Sequence, residues 1–274
     1  MNNILLAFSL TLIAGLATGV GSLVVLFSNK NNKKFLAICL SFSAGVMLYI
    51  AFAEILLEAF ETLKDAQGDG VGYLLGTIAF FAGIALVAII DKFIPHGDEV
   101  VKSIEDTPKN QKALDIGDEK ELKRTGIMSA IALAIHNFPE GIITFMAAVF
   151  DPAMGIAIAI AIVIHNIPEA IAVASPIYFS TGSRIKAFVI SLGAGLVQPL
   201  GAIVAWLLLQ NVSDELEVVF GFIFAAVAGI MVFVAIHQLL PAAQKFGKHH
   251  LVMKWLFAGM AVMAISIVVL EFVF

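Results

Sequence analysis

Apolar runs, parted by short polar stretches, fill almost the whole chain. Eight of them reach the roughly 20 residues that a membrane-spanning helix needs. They are Ile4 to Phe27, Phe35 to Phe60, Tyr73 to Ile94, Gly126 to Val149, Ala153 to Tyr178, Ile185 to Leu209, Leu216 to Leu240 and Leu251 to Phe274. In lipid a backbone must satisfy its own hydrogen bonds, and runs of this length do so as helices. The pattern predicts an all-α membrane protein of eight transmembrane helices, a single domain over residues 1–274. One long loop, about 96–124, mixes both charge signs with few aromatics and reads as a flexible linker. The first run lacks a basic stretch before it and exceeds the apolar part of a signal peptide, so it is expected to stay in the membrane.

Two polar interruptions break the middle of the fourth and fifth runs. His136-Asn137-Phe138-Pro139-Glu140-Gly141 returns 29 residues later as His165-Asn166-Ile167-Pro168-Glu169-Ala170. On a helix, His and Glu at i and i+4, with Asn and Glu at i and i+3, share one face. Proline between them has no N–H to donate, which frees the carbonyls of Ile135 and Ile164. Ionisable groups at this depth are costly and read as functional by default, and here a whole constellation recurs. The turn at Asp151-Pro152 makes the two helices antiparallel neighbours with both motifs near mid-depth. Two carboxylates, two imidazoles and two amides converging there suit a borderline divalent cation such as zinc, iron or manganese.

Composition agrees with the pattern: 60% of residues are hydrophobic and 14% charged, with a mean hydropathy of +0.99, which excludes a soluble domain. A single cysteine excludes a disulfide framework and a Cys-based zinc site. Charge placement says more than the net charge of −5. Fifteen of the sixteen Lys and Arg residues fall in or beside the loops after the first, third, fifth and seventh runs, and Lys64 alone lies on the other side. The positive-inside rule puts those loops in the cytosol and both termini outside. The outward loops carry Glu61, Asp65, Asp69, Asp151, Asp214, Glu215 and Glu217, a face that either concentrates cations or is ordinarily solvated.

Weaker internal likenesses lie outside the motif pair. Ala44 to Tyr49 in the second run matches Ala228 to Phe233 in the seventh at an offset of 184, which sets Glu54 beside Gln238. At an offset of 180, Thr18 to Leu23 matches Gln198 to Ile203. An offset of five spans reverses direction in the membrane, so a 3+2+3 inverted-repeat arrangement is expected, with the motif helices in the centre. Gln198-Pro199 repeats the motif logic by placing a polar side chain beside a proline that frees the Gly195 carbonyl. Met47 offers a thioether, though filling the core explains it as well. His237 and Gln238, near a membrane end, read as interhelical hydrogen-bonding groups, whereas Glu54 reads equally as that or as an entry ligand. Exposed His96 and His249-His250 read as solvated.

The paired HNxPE motifs on consecutive spans, eight spans with both ends outside and a variable loop after the third resemble the ZIP family of divalent-metal transporters, in particular its bacterial branch. The resemblance covers nearly the whole chain. It implies uptake of Zn2+, with Fe2+, Mn2+ and Co2+ as further candidates, into the cytosol across a bacterial inner (plasma) membrane. The cation is then substrate, with no cofactor. The partners implied are the divalent cations and the lipid bilayer, with a homodimer as the assembly and no nucleic acid. It further implies one metal position held by Glu140, His165 and Glu169, with His136 and Met47 as additional ligands, and a second using Asn137, Glu140, Asn166 and Glu169. Where relatives commonly complete the second position with a Glu on the sixth span, this chain has Gln198, which removes a negative charge.

Two other functions fit parts of the pattern. An exporter would use the same site under a reversed driving force. An intramembrane metal-dependent hydrolase would also gather His and Glu, but HExxH places its base next to the first His, whereas here Glu stands four residues on. No nucleotide-binding motif is present to couple hydrolysis to transport.

Overall fold

A computed structural model describes residues 2–27, 32–93, 111–208 and 214–273. Among these every regular element is helical. Eight helical segments are long and apolar enough to cross a membrane: Asn3–Val25, Lys33–Gln67, Asp69–Lys92, Glu119–Phe150, Gly155–Thr181, Arg184–Leu207, Val218–Phe246 and His249–Val269. They are numbered here as spans one to eight, and the chain is a multi-pass membrane protein.

Local chemistry sets several of their ends. The Asn32 side-chain Oδ1 accepts from the Phe35 N–H at 3.0 Å and starts span two, and the Ser183 hydroxyl does the same for Lys186 at the start of span six. Asp151 Oδ1 accepts from the Ala153 N–H at 2.9 Å and shapes the tight turn between the motif helices. Gly68 and Gly182 end spans two and five with φ of 82° and 68°, a region that favours glycine.

Spans one, four, five and six pack around one another, span two lies along span eight, and span seven lies along span three. Glycines bring the outer pairs together at backbone distance. A Cβ on Gly45 would stand 2.0 Å from the Leu256 carbonyl oxygen, and one on Gly259 2.1 Å from that of Phe42. Between spans three and seven the same distances are 1.9 Å for Gly83 against Ala226 and 2.0 Å for Gly229 against Phe80. Lipid gives no hydrophobic drive between helices, so close packing of this kind has to hold the pairs. At one end of the bundle Arg124 pairs with Asp91 at 2.5 Å, Gln238 Nε2 donates to the same carboxylate at 2.7 Å, and Lys245 pairs with Glu121. At the other, Asn3 Nδ2 donates to the Val149 carbonyl at 3.2 Å.

The structure departs from the sequence expectation in three places. The helix of span four runs from Gln111 to Phe150, so residues 111–124 are helical rather than part of a loop. Residues 94–110, with His96, lie outside the described residues. Span six is not continuous: helices Arg184–Gly195 and Val197–Leu208 meet at Leu196, because Pro199 cannot bond back to Gly195. The freed Gly195 carbonyl packs against Gly15 of span one, where a Cβ would come within 2.7 Å of it. Spans two and seven each contain a π-helical turn, Ala51–Ile55 and Val234–Leu239. The two turns fall at equivalent places under the 184 offset and carry Glu54 and Gln238. As the interhelical reading of Gln238 expects, its amide bonds across to Asp91 on span three, while His237 is exposed and stacks on Phe233.

Candidate metal centre

The i, i+4 spacing puts His136 and Glu140 on one face of span four, and that face meets its counterpart on span five. His165 Nε2 and Glu140 Oε1 are 3.0 Å apart in hydrogen-bond geometry. His136 Nε2 stands 3.0 Å from Glu169 Oε2 and 3.3 Å from Glu140 Oε1, contacts without hydrogen-bond alignment. His136, Glu140 and His165, from two helices, thus gather about one point, with Glu169 against His136. Ligand atoms around a tetrahedral zinc with bonds of about 2.0–2.1 Å lie about 3.3 Å apart. The observed spacings are close to that edge, so a small cation would fit after minor expansion. His136, Glu140 and His165 each offer a ligand atom within 4.8 Å of the others.

All eight residues singled out from the sequence are buried; Glu140, the most exposed of them, is at 6%. Burial to this degree removes water as a partner, so each polar atom must find one in the protein or in a ligand. Asn137 Nδ2 donates to the Ala194 carbonyl at 3.2 Å, and Asn166 Nδ2 to the Ala14 carbonyl at 2.9 Å. Their side-chain oxygens, Glu140 Oε2 and Glu169 Oε1 have no hydrogen-bond partner among the described residues. Both amides are thereby fixed nitrogen-out, with oxygen left as the only atom for a cation. Asn166 Nδ2 also reaches Gln198 Oε1 at 3.3 Å, so Gln198 already serves one donor through the atom that would ligate. Met47 lines a small cavity together with His136 and Glu169. Glu54 lies in the π-helical turn of span two. His249 and His250 are exposed at the start of span eight, away from this cluster.

Neighbouring groups without a sequence signature complete the surroundings. The Ser43 hydroxyl on span two donates to the Pro168 carbonyl inside the second motif at 2.7 Å. Ser129, buried on span four, lines the same cavity as Met47. Its position seven residues before His136 keeps it on the same helical face, a hint available from spacing alone.

The family model described as ZIP Zinc transporter matches residues 2–267. The chain is 53% identical over 270 residues to a protein named zinc transporter ZupT from Lysinibacillus sphaericus, with 98% of each chain covered. It is 51% identical to the protein of that name from Oceanobacillus iheyensis, covering 98% of this chain and 100% of the relative. With the one from Clostridium perfringens it shares 48% identity over 97% and 96% of the two chains. A matched family model over nearly the full length, and relatives at this identity and coverage, carry one conclusion: the chain belongs to the ZIP zinc transporter family.

Proposed function

We propose that this protein carries Zn2+ into the cytosol across a bacterial inner membrane, through the centre formed by His136, Glu140, His165 and Glu169. The observation that carries the reading is their convergence, fully buried, from twin motifs on spans four and five. Relatives named zinc transporters support the cargo. Two imidazoles and two carboxylates supply the borderline N and O ligands that zinc takes. Asn137, Asn166 and Gln198 contribute oxygens on the flank, and Met47 a thioether. Fe2+, Mn2+ and Co2+ as further cargo and a homodimer as the assembly belong to the same proposal.

The 184 and 180 offsets support spans one to three and six to eight as inverted repeats about the motif pair, with both termini outside. Positive-inside loops then set the direction of entry. An inside-negative potential acts on a dication with about 4.6 kcal/mol per 100 mV, twice the value for one charge, which is enough to drive uptake without ATP.

Zinc flux into vesicles holding the intact chain tests the reading. Uptake should rise with inside-negative potential and be lost in Glu140→Ala. Undiminished flux in both Glu140→Ala and Glu169→Ala would sink the assigned centre.

A further inference from the structure

Beside the four ligating side chains lies a cavity lined by Met47, Ser129, Leu133, His136, Glu169 and Val173. Its volume, about 10 Å³, is the room of a single water molecule. Apart from His136 and Glu169 its walls are apolar, with one neutral polar exception. The Ser129 hydroxyl is buried, at 4% residue exposure, and has no hydrogen-bond partner among the described residues. The other buried serine and threonine hydroxyls on these spans, those of Thr125, Thr144, Ser175 and Ser180, bond back to carbonyls of their own helices. Ser129 instead faces a space whose far wall is a carboxylate.

We propose that this cavity is a water site, and that Ser129 holds there the water that replaces protein ligands on the cation as it leaves the centre. The proposal rests on the reading of His136, Glu140, His165 and Glu169 as the cation site. Ser129 lies seven residues before His136, about 10 Å along the helix axis. Val173 follows Glu169 by a full turn on the antiparallel neighbour. Both displacements lead to the side that positive-inside orientation makes cytosolic. A zinc ion held by buried nitrogen and oxygen ligands cannot dissociate into apolar walls; each bond lost must be replaced by another oxygen. Water in this cavity can accept from the Ser129 hydroxyl, donate to Glu169 and turn its remaining lone pair to the metal. The holder is neutral, so it adds no new trap on the way out, and conduction needs binding weak enough to release. Ser129 is accordingly a positioning residue, acting through the water.

The test uses the full chain in proteoliposomes with Ser129→Thr, Ser129→Ala and Ser129→Val. Thr keeps the hydroxyl and should transport within about twofold of the parent, whereas Ala should lower maximal zinc flux several-fold with the half-saturating concentration changed by less than about twofold. Val fills the space and should lower flux about tenfold or more. Radiolytic hydroxyl-radical labelling of the buried Met47 gives a readout that a merely structural role would not move. A water held beside the thioether makes its labelling fast, and Val should slow it at least about threefold while Thr leaves it unchanged. Ala and Val variants that keep parental flux, or Met47 labelling that is slow in the parent or indifferent to Val, would overturn the proposal. A parent that carries no zinc, or whose flux ignores Glu140→Ala, would instead overturn the reading of the centre, and the labelling result would still stand by itself.

Discussion

Span four carries HNFPEG and span five HNIPEA, and the backbone around the two is packed in the same way. Asn137 donates to the carbonyl of Ala194, and Asn166, 29 residues on, to that of Ala14, 180 residues back. Gly201 lies against the Phe138 carbonyl, where a Cβ would stand 2.0 Å away, and Gly21 against that of Ile167, at 2.2 Å. The side chains then part company. His136 reaches both carboxylates, whereas His165 stands 3.0 Å from Glu140. Asn166 holds Gln198 in addition to its carbonyl, and Pro168 alone has a serine from span two on its carbonyl. A duplicated scaffold thus places two sets of ligands near one point, and small unmatched contacts make the two sets unequal. Entry and exit therefore meet unlike surroundings, while the direction of net movement is set by the gradient and the potential.

The strongest way to break this comparison is to remove one carboxylate at a time. Glu140 faces two imidazoles and Glu169 one. Glu140→Ala is expected to lower zinc flux about a hundredfold and Glu169→Ala about tenfold, a difference of about 1.4 kcal/mol. Flux measured at equal protein density decides it. Equal losses, or a larger loss at Glu169, would mean that the two motifs are chemically equivalent.

The likeness of the scaffold is tested by filling its closest contacts. Gly21→Ala and Gly201→Ala each drive a methyl into a backbone carbonyl of a motif helix. Overpacking of this kind costs about 1–3 kcal/mol, and both substitutions should lower the unfolding midpoint in detergent by similar amounts. A large effect at one glycine and none at the other would show that the two sides are packed differently after all.

Much of this was legible in the sequence for identifiable reasons. Run length gives the spans, because lipid leaves a buried chain little alternative to helix. The caps at Asn32 and Ser183 and the glycines at 68 and 182 have local signatures. The motif spacing named six of the buried centre residues directly, since i, i+4 positions must share a face. The π turns were not legible, because an inserted residue in a helix is selected by what packs beside it. Nor was the helical stretch 111–124, whose charges read as a solvated loop until its end is seen paired: Glu121 with Lys245 and Arg124 with Asp91. The unequal reach of His136 and His165 has no trace in two nearly identical hexapeptides. It arises from the relative rotation of two helices, which only tertiary packing sets.

Smaller effects should separate the amides. Asn166→Ala removes bonds to both Ala14 and Gln198, and Asn137→Ala removes the one to Ala194. Interhelical hydrogen bonds in membranes are worth about 0.6 kcal/mol on average and up to about 1.7. The loss at Asn166 should therefore exceed that at Asn137 by roughly one such bond. Chemical unfolding in mixed micelles checks the ordering. Equal losses would mean that the Asn166–Gln198 contact contributes nothing, and that Gln198 is free to turn its oxygen to a cation.

The smallest expected effect bears on the contact that has no partner at all. Ser43 donates to the Pro168 carbonyl at 2.7 Å, and the residue 184 positions later is Val227, which has no hydroxyl to offer Pro139. Pro168 sits one residue before Glu169, so this bond ties the second motif to span two beside Met47. Ser43→Ala leaves a buried carbonyl without that donor and should cost about 0.6 kcal/mol of stability. If the bond only adds stability, zinc flux will fall no further than Ser43→Cys, a weaker donor of similar size, makes it fall. If it also holds Glu169 in register, Ser43→Ala will raise the half-saturating zinc concentration while Ser22→Ala, which removes a buried hydroxyl that bonds within its own helix on span one, leaves it in place. The second outcome would fix the inequality of the two motifs on a single hydroxyl, whereas the first would return it to the imidazoles.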